Sequence, residues 1–142
     1  RAAGFTLTEL MIVVVIVAIL ASIAVPMYNQ QMRESRRTEA KTAVLDLASR
    51  EERYFSTANS YTAVPTLLGY AAAGSGETFP LSTGTYYQIT ATVSANPTPS
   101  FTVTASPSAG SPQAADAQCT SFSVTQTGEQ TATGTLGDAC WQ

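Results

Sequence analysis

The feature that most constrains this chain is an apolar run near its start. From Phe5 to Val25 the sequence reads FTLTELMIVVVIVAILASIAV, 21 residues in which Glu9 is the only charged side chain. An α-helix needs about 20 residues to cross the hydrocarbon core of a bilayer. Because the stretch from Leu10 to Ala21 is apolar on every side, a helix there has no face for water. Something outside the folded monomer must therefore cover this segment.

Three interpretations of the apolar run treat Glu9 differently. A secretory signal peptide would use Arg1 as its basic region and Ser22-Ile23-Ala24 as its cleavage site, but such peptides normally have no acid at the start of the run. A simple membrane anchor tolerates a carboxylate only near the interface, since one at mid-bilayer costs about 2.5–3.5 kcal/mol. A helix that assembles with copies of itself can pair the carboxylate with a cation of a neighbouring subunit. The position of Glu9 favours this third interpretation.

Pro26 interrupts the apolar run, and we expect it to kink the helix or to loosen it locally. The next stretch, Met27 to Ser56, keeps a helical period, and its apolar stripe consists of Ala40, Val44, Leu47, Ala48 and Phe55. Charged residues lie largely off that stripe: Glu34, Arg37, Lys41, Arg50 and Arg53. We therefore predict a helix from Phe5 to Ser56 whose second half packs on a globular head.

Beyond Ser56 the sequence predicts turns and β-structure. Residues 57–85 are rich in glycine and proline, so we expect a long irregular connection there. Two-residue alternation predicts strands at Tyr86–Ser94, Phe101–Ala105 and Thr120–Thr127, with a short fourth at Ala132–Leu136. The segment Pro97-Thr98-Pro99 would link the first two strands as a hairpin. Short strands with one apolar face fit a small antiparallel sheet that covers the helix stripe, so the fold class is α+β.

Residues 106–118, SPSAGSPQAADAQ, are expected to form a flexible, low-complexity surface loop. The two cysteines, Cys119 and Cys140, predict one disulfide formed outside the cytoplasm, the alternative being two unrelated buried thiols. The disulfide would close a loop that contains the turn Thr127-Gly128-Glu129 and would stabilise the small head by about 2–4 kcal/mol. Trp141 is expected to be a packing or interface residue.

The composition disfavours most kinds of chemistry. There is no histidine, which removes the commonest general base and metal ligand, and two cysteines cannot form a zinc site unaided. With a single lysine as well, no nucleophile–base pair can be drawn, so we expect no catalytic residue, no enzymatic activity and no cofactor. The head has only four acids, and they are scattered along the sequence: Glu77, Asp116, Glu129 and Asp138. This disfavours a calcium cage or any other metal site.

The charges are distributed unevenly along the chain. All seven basic residues precede Tyr54: Arg1, Arg33, Arg36, Arg37, Lys41, Arg50 and Arg53. A C-terminal half without cations is poorly suited to binding nucleic acid, because DNA affinity depends on neutralising phosphates. The basic run from Arg33 to Lys41 is interpreted as a neck that faces lipid headgroups or a neighbouring acidic surface.

The stretch Gly4-Phe5-Thr6-Leu7-Thr8-Glu9-Leu10 resembles the cleavage and assembly motif of type IV pilins, which runs Gly, Phe, Thr, Leu, an aliphatic residue, Glu, Leu. The similarity continues through MIVVVIVAIL and Pro26 to the late pair of cysteines. The head, with REERYF, YYQIT, FTVTA and a terminal Cys-Trp, resembles the PilE-like branch of Gram-negative type IVa pilins. The N-terminal motif is specific, and the resemblance extends over nearly the whole chain.

By this resemblance a prepilin peptidase would cleave between Gly4 and Phe5, and the new amine of Phe5 would be methylated. Glu9 would then accept a contact from the Phe5 amine of an adjacent subunit. The physics agrees, because a carboxylate in an apolar bundle is tolerated only when it is paired or protonated. Thr8 stands where the family usually has an aliphatic residue, a mild departure. Residues 1–3 resemble the end of a leader, and the pairing requires that they and Gly4 be removed, because only then does Phe5 have a free amine.

The resemblance implies four regions: a residual leader end at 1–4, a transmembrane or filament-core helix at 5–27, an amphipathic helix at 28–56 and a globular pilin head at 57–142. Near Pro26, from about Ala18, the helix is expected to kink or to melt on assembly. The implied function is a structural pilus subunit for adhesion, twitching motility or surface attachment. Minor pilins for DNA uptake and pseudopilins of type II secretion are the alternatives.

The implied partners are further copies of the chain in a helical filament, the inner membrane before assembly, the prepilin peptidase and the assembly machinery, with nucleic acid disfavoured. The implied location is the inner membrane for the precursor and then an extracellular pilus of a Gram-negative bacterium.

Overall fold

The computed structural model describes residues 4–70, 81–83 and 86–142. Helix α1 extends from Leu7 to Ala58, close to the predicted bounds. At its start the hydroxyl oxygen of Thr6 accepts a hydrogen bond from the N–H of Glu9 at 3.3 Å, which satisfies one of the free amides of the first turn. The helix ends where Asn59 adopts a left-handed conformation with φ of 51°, a conformation that Asn tolerates better than most residues.

Pro26 lies inside α1, and the chain is helical on both sides of it. Proline removes one backbone donor, but the helix continues because the neighbouring residues keep their own hydrogen bonds. In the single chain the stretch from Ala18 to Pro26 is therefore helical. Its melting on assembly remains a prediction about the filament.

The chain separates into two compact units, Arg1–Ser35 and Arg36–Gln142. Among the described residues of the second unit, five strands form one antiparallel sheet. They are β1 (Leu81–Thr83), β2 (Tyr87–Ser94), β3 (Ser100–Pro107), β4 (Ser121–Thr125) and β5 (Gln130–Thr133), and their order in the sheet is β1-β2-β3-β4-β5. Short 3-10 helices occupy Pro65–Leu68, Pro112–Ala115 and Gly137–Trp141. The predicted α+β class is confirmed, and the longest pairing is the β2–β3 hairpin, in which Ala91 lies opposite Val103.

The core of the second unit forms between one stripe of α1 and the inward face of the sheet. Ala40, Val44, Leu47 and Ala48 are buried, which confirms most of the predicted stripe, while Phe55 is only half-buried. Alternate strand residues face this stripe, as the period of a β-strand requires, and they include Tyr87, Ile89, Phe101, Val103, Phe122 and Val124. Trp141 packs edge-on against Phe122 with ring centroids 5.7 Å apart.

Two sequence interpretations of the connecting segments need correction. Residues 57–85 are not wholly irregular, because they contain the 3-10 helix Pro65–Leu68 and strand β1; residues 71–80 and 84–85 lie outside the described part. Residues 106–118 are not a flexible surface loop. Strand β3 continues to Pro107, and Gln113 and Asp116 are almost completely buried. Pro112 at the start of the 3-10 helix was the signal for order, since proline favours the first helical position.

Candidate assembly site

The proposed processing and assembly residues lie at the start of α1. Gly4 and Phe5 precede the helix, Glu9 is in its first turn, and all three are exposed. A Cβ added at Gly4 would meet no atom within 4 Å, so the packing of this chain does not require glycine there. The nitrogen of Phe5 is a peptide nitrogen joined to Gly4, and it carries no positive charge while that bond is intact.

The apolar part of α1 has no cover among the residues that the structure describes. Its large side chains from Leu10 to Val25 are 51–62% exposed. The helix is long and apolar enough to cross a membrane, and none of its most apolar window is buried. At about 25 cal/mol for each Å² of apolar surface removed from water, leaving such a segment uncovered is strongly unfavourable. The structure therefore requires a lipid or protein environment for this half of the helix.

The C-terminal end of the chain is closed by the predicted disulfide, which joins Cys119 to Cys140. Both residues are buried. Two backbone hydrogen bonds join the same two segments as the disulfide. The carbonyl of Gln118 accepts from the N–H of Leu136 at 3.1 Å, and the carbonyl of Ala117 accepts from the N–H of Thr135 at 3.0 Å. The last residues of the chain are thereby held against the segment that precedes β4.

A buried ion pair that the sequence interpretation missed joins α1 to this same segment. Arg37 donates from Nε to Oδ2 of Asp116 at 2.7 Å and from a terminal nitrogen to Oδ1 at 2.8 Å. The amide of Gln113 donates to the same carboxylate at 2.8 Å, and the N–H groups of Gln118 and Cys119 donate at 3.2 and 3.4 Å. Burial alone would raise the pKa of Asp116, but Arg37 and the backbone amides outweigh burial and hold that pKa below its usual range.

The basic neck is therefore only partly a surface for external partners. Arg37 is bound to Asp116, and the guanidinium of Arg36 lies over the ring of Tyr86, 4.0 Å from its centroid. Both arginines contact the head of their own chain. The expectation that the whole run faces lipid headgroups or a neighbouring subunit is wrong for these two side chains. The sequence signal that could have predicted these contacts is the spacing of Arg36 and Arg37, which lie four and three residues before Ala40 on the buried stripe.

Glu51 is a second buried polar group that the sequence interpretation missed. It is 0% exposed, one carboxylate oxygen accepts from the N–H of Thr62 at 3.1 Å, and the other has no hydrogen-bond partner among the described residues. Burial raises the pKa of Glu51, the Thr62 amide lowers it, and the nearby charge of Glu52 raises it, with a net upward shift. Its spacing of three and four residues from Ala48 and Leu47 placed it on the buried stripe.

Within the described ranges, no three His, Cys, Asp or Glu side chains lie together in a way that could hold a metal ion. The features that stand out are the uncovered apolar helix with one acid in its first turn and a head closed by a buried disulfide. Together they define a membrane-inserted protein in which the described residues contain one long apolar helix and an α+β head that is oxidised outside the cytoplasm.

Comparison with known proteins identifies the family. Residues 26–123 match the family model described as type IV minor pilin ComP, DNA uptake sequence receptor, and residues 1–25 match the prokaryotic N-terminal methylation motif. The chain belongs to the type IV pilin family. Its N-terminal motif, apolar helix and pilin relatives fit a membrane-held precursor and a mature form in an extracellular pilus.

Two curated relatives agree with this assignment. The type IV major pilin protein PilA of Myxococcus xanthus (strain DK1622) is 41% identical over 71 residues, which is 50% of this chain and 32% of that protein. The fimbrial protein EcpC of Eikenella corrodens is 36% identical over 74 residues, 52% of this chain and 48% of that protein. The matched part of this chain thus spans less than half the length of each relative.

Proposed function

We propose that this chain is a non-enzymatic structural subunit of a type IV pilus and that it polymerises through its N-terminal helix. The observation that supports this most directly is the uncovered apolar surface of α1, whose most apolar window has no buried residue in the single chain. Membrane lipid covers that surface before assembly, and the same helix of neighbouring copies covers it in the filament. Adhesion, motility and surface attachment are the roles that such a filament serves.

Processing prepares the helix for assembly. A prepilin peptidase cleaves between Gly4 and Phe5, and the new amine of Phe5 is methylated. The amine stays positive after methylation, so it can donate to the carboxylate of Glu9 on an adjacent copy. An unpaired carboxylate in an apolar bundle is costly, and pairing it with this amine removes the cost. The open space around Gly4 is consistent with a glycine requirement that comes from the peptidase.

Substitution of Glu9 tests this mechanism. Glu9→Gln and Glu9→Val should abolish the incorporation of the chain into sheared surface filaments while the protein still accumulates in the membrane. The matched control is Glu39→Gln, which neutralises an exposed acid further along α1 and should leave the filament yield unchanged. Normal yield from either Glu9 variant would refute the pairing. Mass spectrometry of the filaments should find methylated Phe5 as the first residue.

A DNA-receptor function is a second candidate, and the matched family description favours it. The charges of the head oppose it, because no Lys or Arg follows Arg53 and Arg36, Arg37 and Arg50 already contact groups of their own chain. An electrophoretic mobility shift with duplex DNA at low and moderate salt separates the two functions. A shift that persists at moderate salt would favour the receptor, and the absence of any shift would exclude it.

A further inference from the structure

A shallow groove of about 390 Å³ lies on the head between the last turns of α1 and the 3-10 helix Pro65–Leu68. Leu67 on its edge is 55% exposed. Arg53 on the opposite wall is also exposed. Its carbonyl accepts from the hydroxyl of Ser56 at 2.7 Å, but its guanidinium forms no hydrogen bond or ion pair with the residues that the structure describes. The groove therefore presents an apolar group and a cation side by side.

One wall of this groove is fixed before any partner arrives. Arg50 donates to Asp46 at 2.8 Å and to the carbonyl of Leu68 at 3.0 Å, and its guanidinium lies 4.4 Å from the ring centroid of Tyr70. The hydroxyl of Tyr70 donates to Asp46 at 2.8 Å. Asp46 is thus occupied by Arg50 and Tyr70, which leaves Arg53 as the cation available to a ligand. A groove that needs little ordering loses less entropy on binding.

A complementary patch lies near the C-terminus of the same head. Leu136 is 48% exposed although its backbone is held by the hydrogen bond to Gln118. Two residues further on, Asp138 is exposed, and its Oδ1 accepts from the N–H of Ala132 at 2.9 Å. This patch presents an apolar group beside an anion on a fixed backbone.

We propose that the groove at Leu67 and Arg53 of one copy receives Leu136 and Asp138 of a second copy. This inference rests on the proposed filament function. The large apolar side chains that are exposed on the described part of the head are Leu45, Leu67 and Leu136, and the last two stand beside charges of opposite sign. Two identical grooves would repel each other through Arg53, and each groove attracts the other patch.

A contact between two different patches does not close on itself. It adds copies head to tail and generates an open helical assembly if the rotation does not close into a ring. The contact is therefore compatible with a filament, and it adds a link between heads to the packing of the N-terminal helices. It also accounts for exposed leucines on a protein of the cell exterior, where they would otherwise favour nonspecific association.

Cysteine cross-linking tests the contact in the full-length chain. The two native cysteines form the Cys119–Cys140 disulfide, so an introduced pair can be followed separately. Filaments sheared from cells that express Leu67→Cys with Leu136→Cys should give a ladder of covalent multimers on a non-reducing gel. Each single variant should remain monomeric, since a head-to-tail contact never brings two copies of one patch together.

The matched control pairs Leu45→Cys with Leu136→Cys, because Leu45 is the third exposed leucine of the head. This variant should remain monomeric. Filaments without a ladder from the Leu67 and Leu136 pair would overturn the contact while leaving the pilus function intact. A ladder from the Leu45 pair, or dimers from the Leu67 single variant, would also overturn it. Loss of filaments in the unmodified protein would instead refute the proposed function.

Charge reversal gives an independent readout. Arg53→Glu should weaken each contact by roughly fivefold, the upper range for an exposed ion pair, and lower the filament yield. Asp138→Arg should do the same, and the double variant should restore the yield. Membrane levels and the oxidised state of the disulfide show whether each variant folds. A double variant that folds but assembles no better than either single one would contradict the proposal.

Discussion

The guanidinium of Arg37 and the carboxylate of Asp116 meet in a two-pronged contact of 2.7 and 2.8 Å between residues 79 positions apart in sequence. The side chain of Arg37 is 11% exposed and that of Asp116 is 1% exposed. This pair connects α1 to the segment that leads into Cys119. It therefore links the helix to the disulfide-closed end of the head.

Removing Asp116 should strongly destabilise the head. Asp116→Ala leaves Arg37 without its carboxylate and takes the acceptor from the amide of Gln113 and the N–H of Gln118. Loss of one partner of a buried pair costs about 3–5 kcal/mol. Thermal unfolding of the detergent-solubilised chain, followed by near-ultraviolet circular dichroism of the aromatic core, should show a large decrease in melting temperature.

The exposed ion pair Arg50–Asp46 provides the control. Its Nε–Oδ2 distance of 2.8 Å is nearly the same, but the two side chains are 30% and 47% exposed. Solvent screens such pairs, and Asp46→Ala also removes the hydrogen bond that Tyr70 donates, so this substitution should cost about 1–2 kcal/mol, less than Asp116→Ala. Equal losses from the two aspartate variants would show that the Arg37–Asp116 pair adds nothing beyond a surface contact.

The helix was the part of the fold most accessible from sequence. Its apolar run identifies a helix by length and composition, whereas the stripe from Ala40 to Ala48 follows a helical period that the buried positions reproduce. The strands were also predictable, because alternation over Tyr87–Ser94 and Ser100–Pro107 matches the burial pattern along each strand. The ends of the predicted strands differ from the observed ends by up to three residues, the largest difference being that between Ala132–Leu136 and Gln130–Thr133, and β1 was not predicted. Strand ends are fixed by hydrogen bonds that alternation does not encode.

The buried polar residues Asp116 and Glu51 could not be predicted from the sequence in the same way. Asp116 stands in a stretch of Ser, Ala, Gly and Pro that has no period, and its partner Arg37 is 79 residues away. Composition suggested a flexible surface loop, and only the tertiary contact shows that the segment is anchored. Glu51 was missed for the opposite reason. It lies on the apolar stripe, but an acid at such a position is usually assigned to solvent.

Glu51 should make the stability of the head depend on pH. Because the folded-state pKa of Glu51 is raised, its full contribution to stability is present below the unfolded pKa and is lost as the pH rises through the folded pKa. Glu51→Gln should therefore have little effect at acidic pH, where Glu51 is protonated. At neutral pH the variant should have the higher melting temperature, because ionised Glu51 has one oxygen without a partner among the described residues.

Melting temperatures measured from pH 4 to pH 8 test this difference, with Glu39→Gln as the control. Glu39 is an exposed acid of the same helix. Its neutral variant should follow the unmodified protein across the range. A difference between Glu51→Gln and the unmodified chain that stays constant with pH would exclude Glu51 as the group responsible.

Gly134 should be the least replaceable glycine of the described head. Its φ is 122°, and an added Cβ would clash with the carbonyl group of Gln118. Gly134→Ala must therefore move backbone that holds the disulfide-closed end, at a cost above about 2 kcal/mol. Gly128 has φ of 78° with no atom within 4 Å of an added Cβ, so Gly128→Ala should cost only about 1 kcal/mol. Comparable melting temperatures for the two variants would refute the steric argument.

Reduction of the Cys119–Cys140 disulfide should lower the melting temperature of the head without unfolding it at room temperature. The bridge joins residues separated by 21 positions, and a loop of that size contributes about 2–4 kcal/mol by restricting the unfolded chain. The native state keeps the hydrogen bonds from Thr135 and Leu136 to the preceding segment, together with the Arg37–Asp116 pair. These contacts should hold the reduced C-terminus in place.

The same unfolding experiment with and without reductant measures the effect, and Asp116→Ala combined with reduction should abolish the folded signal. An unchanged melting temperature on reduction would show that the backbone contacts alone account for the stability of this end of the head.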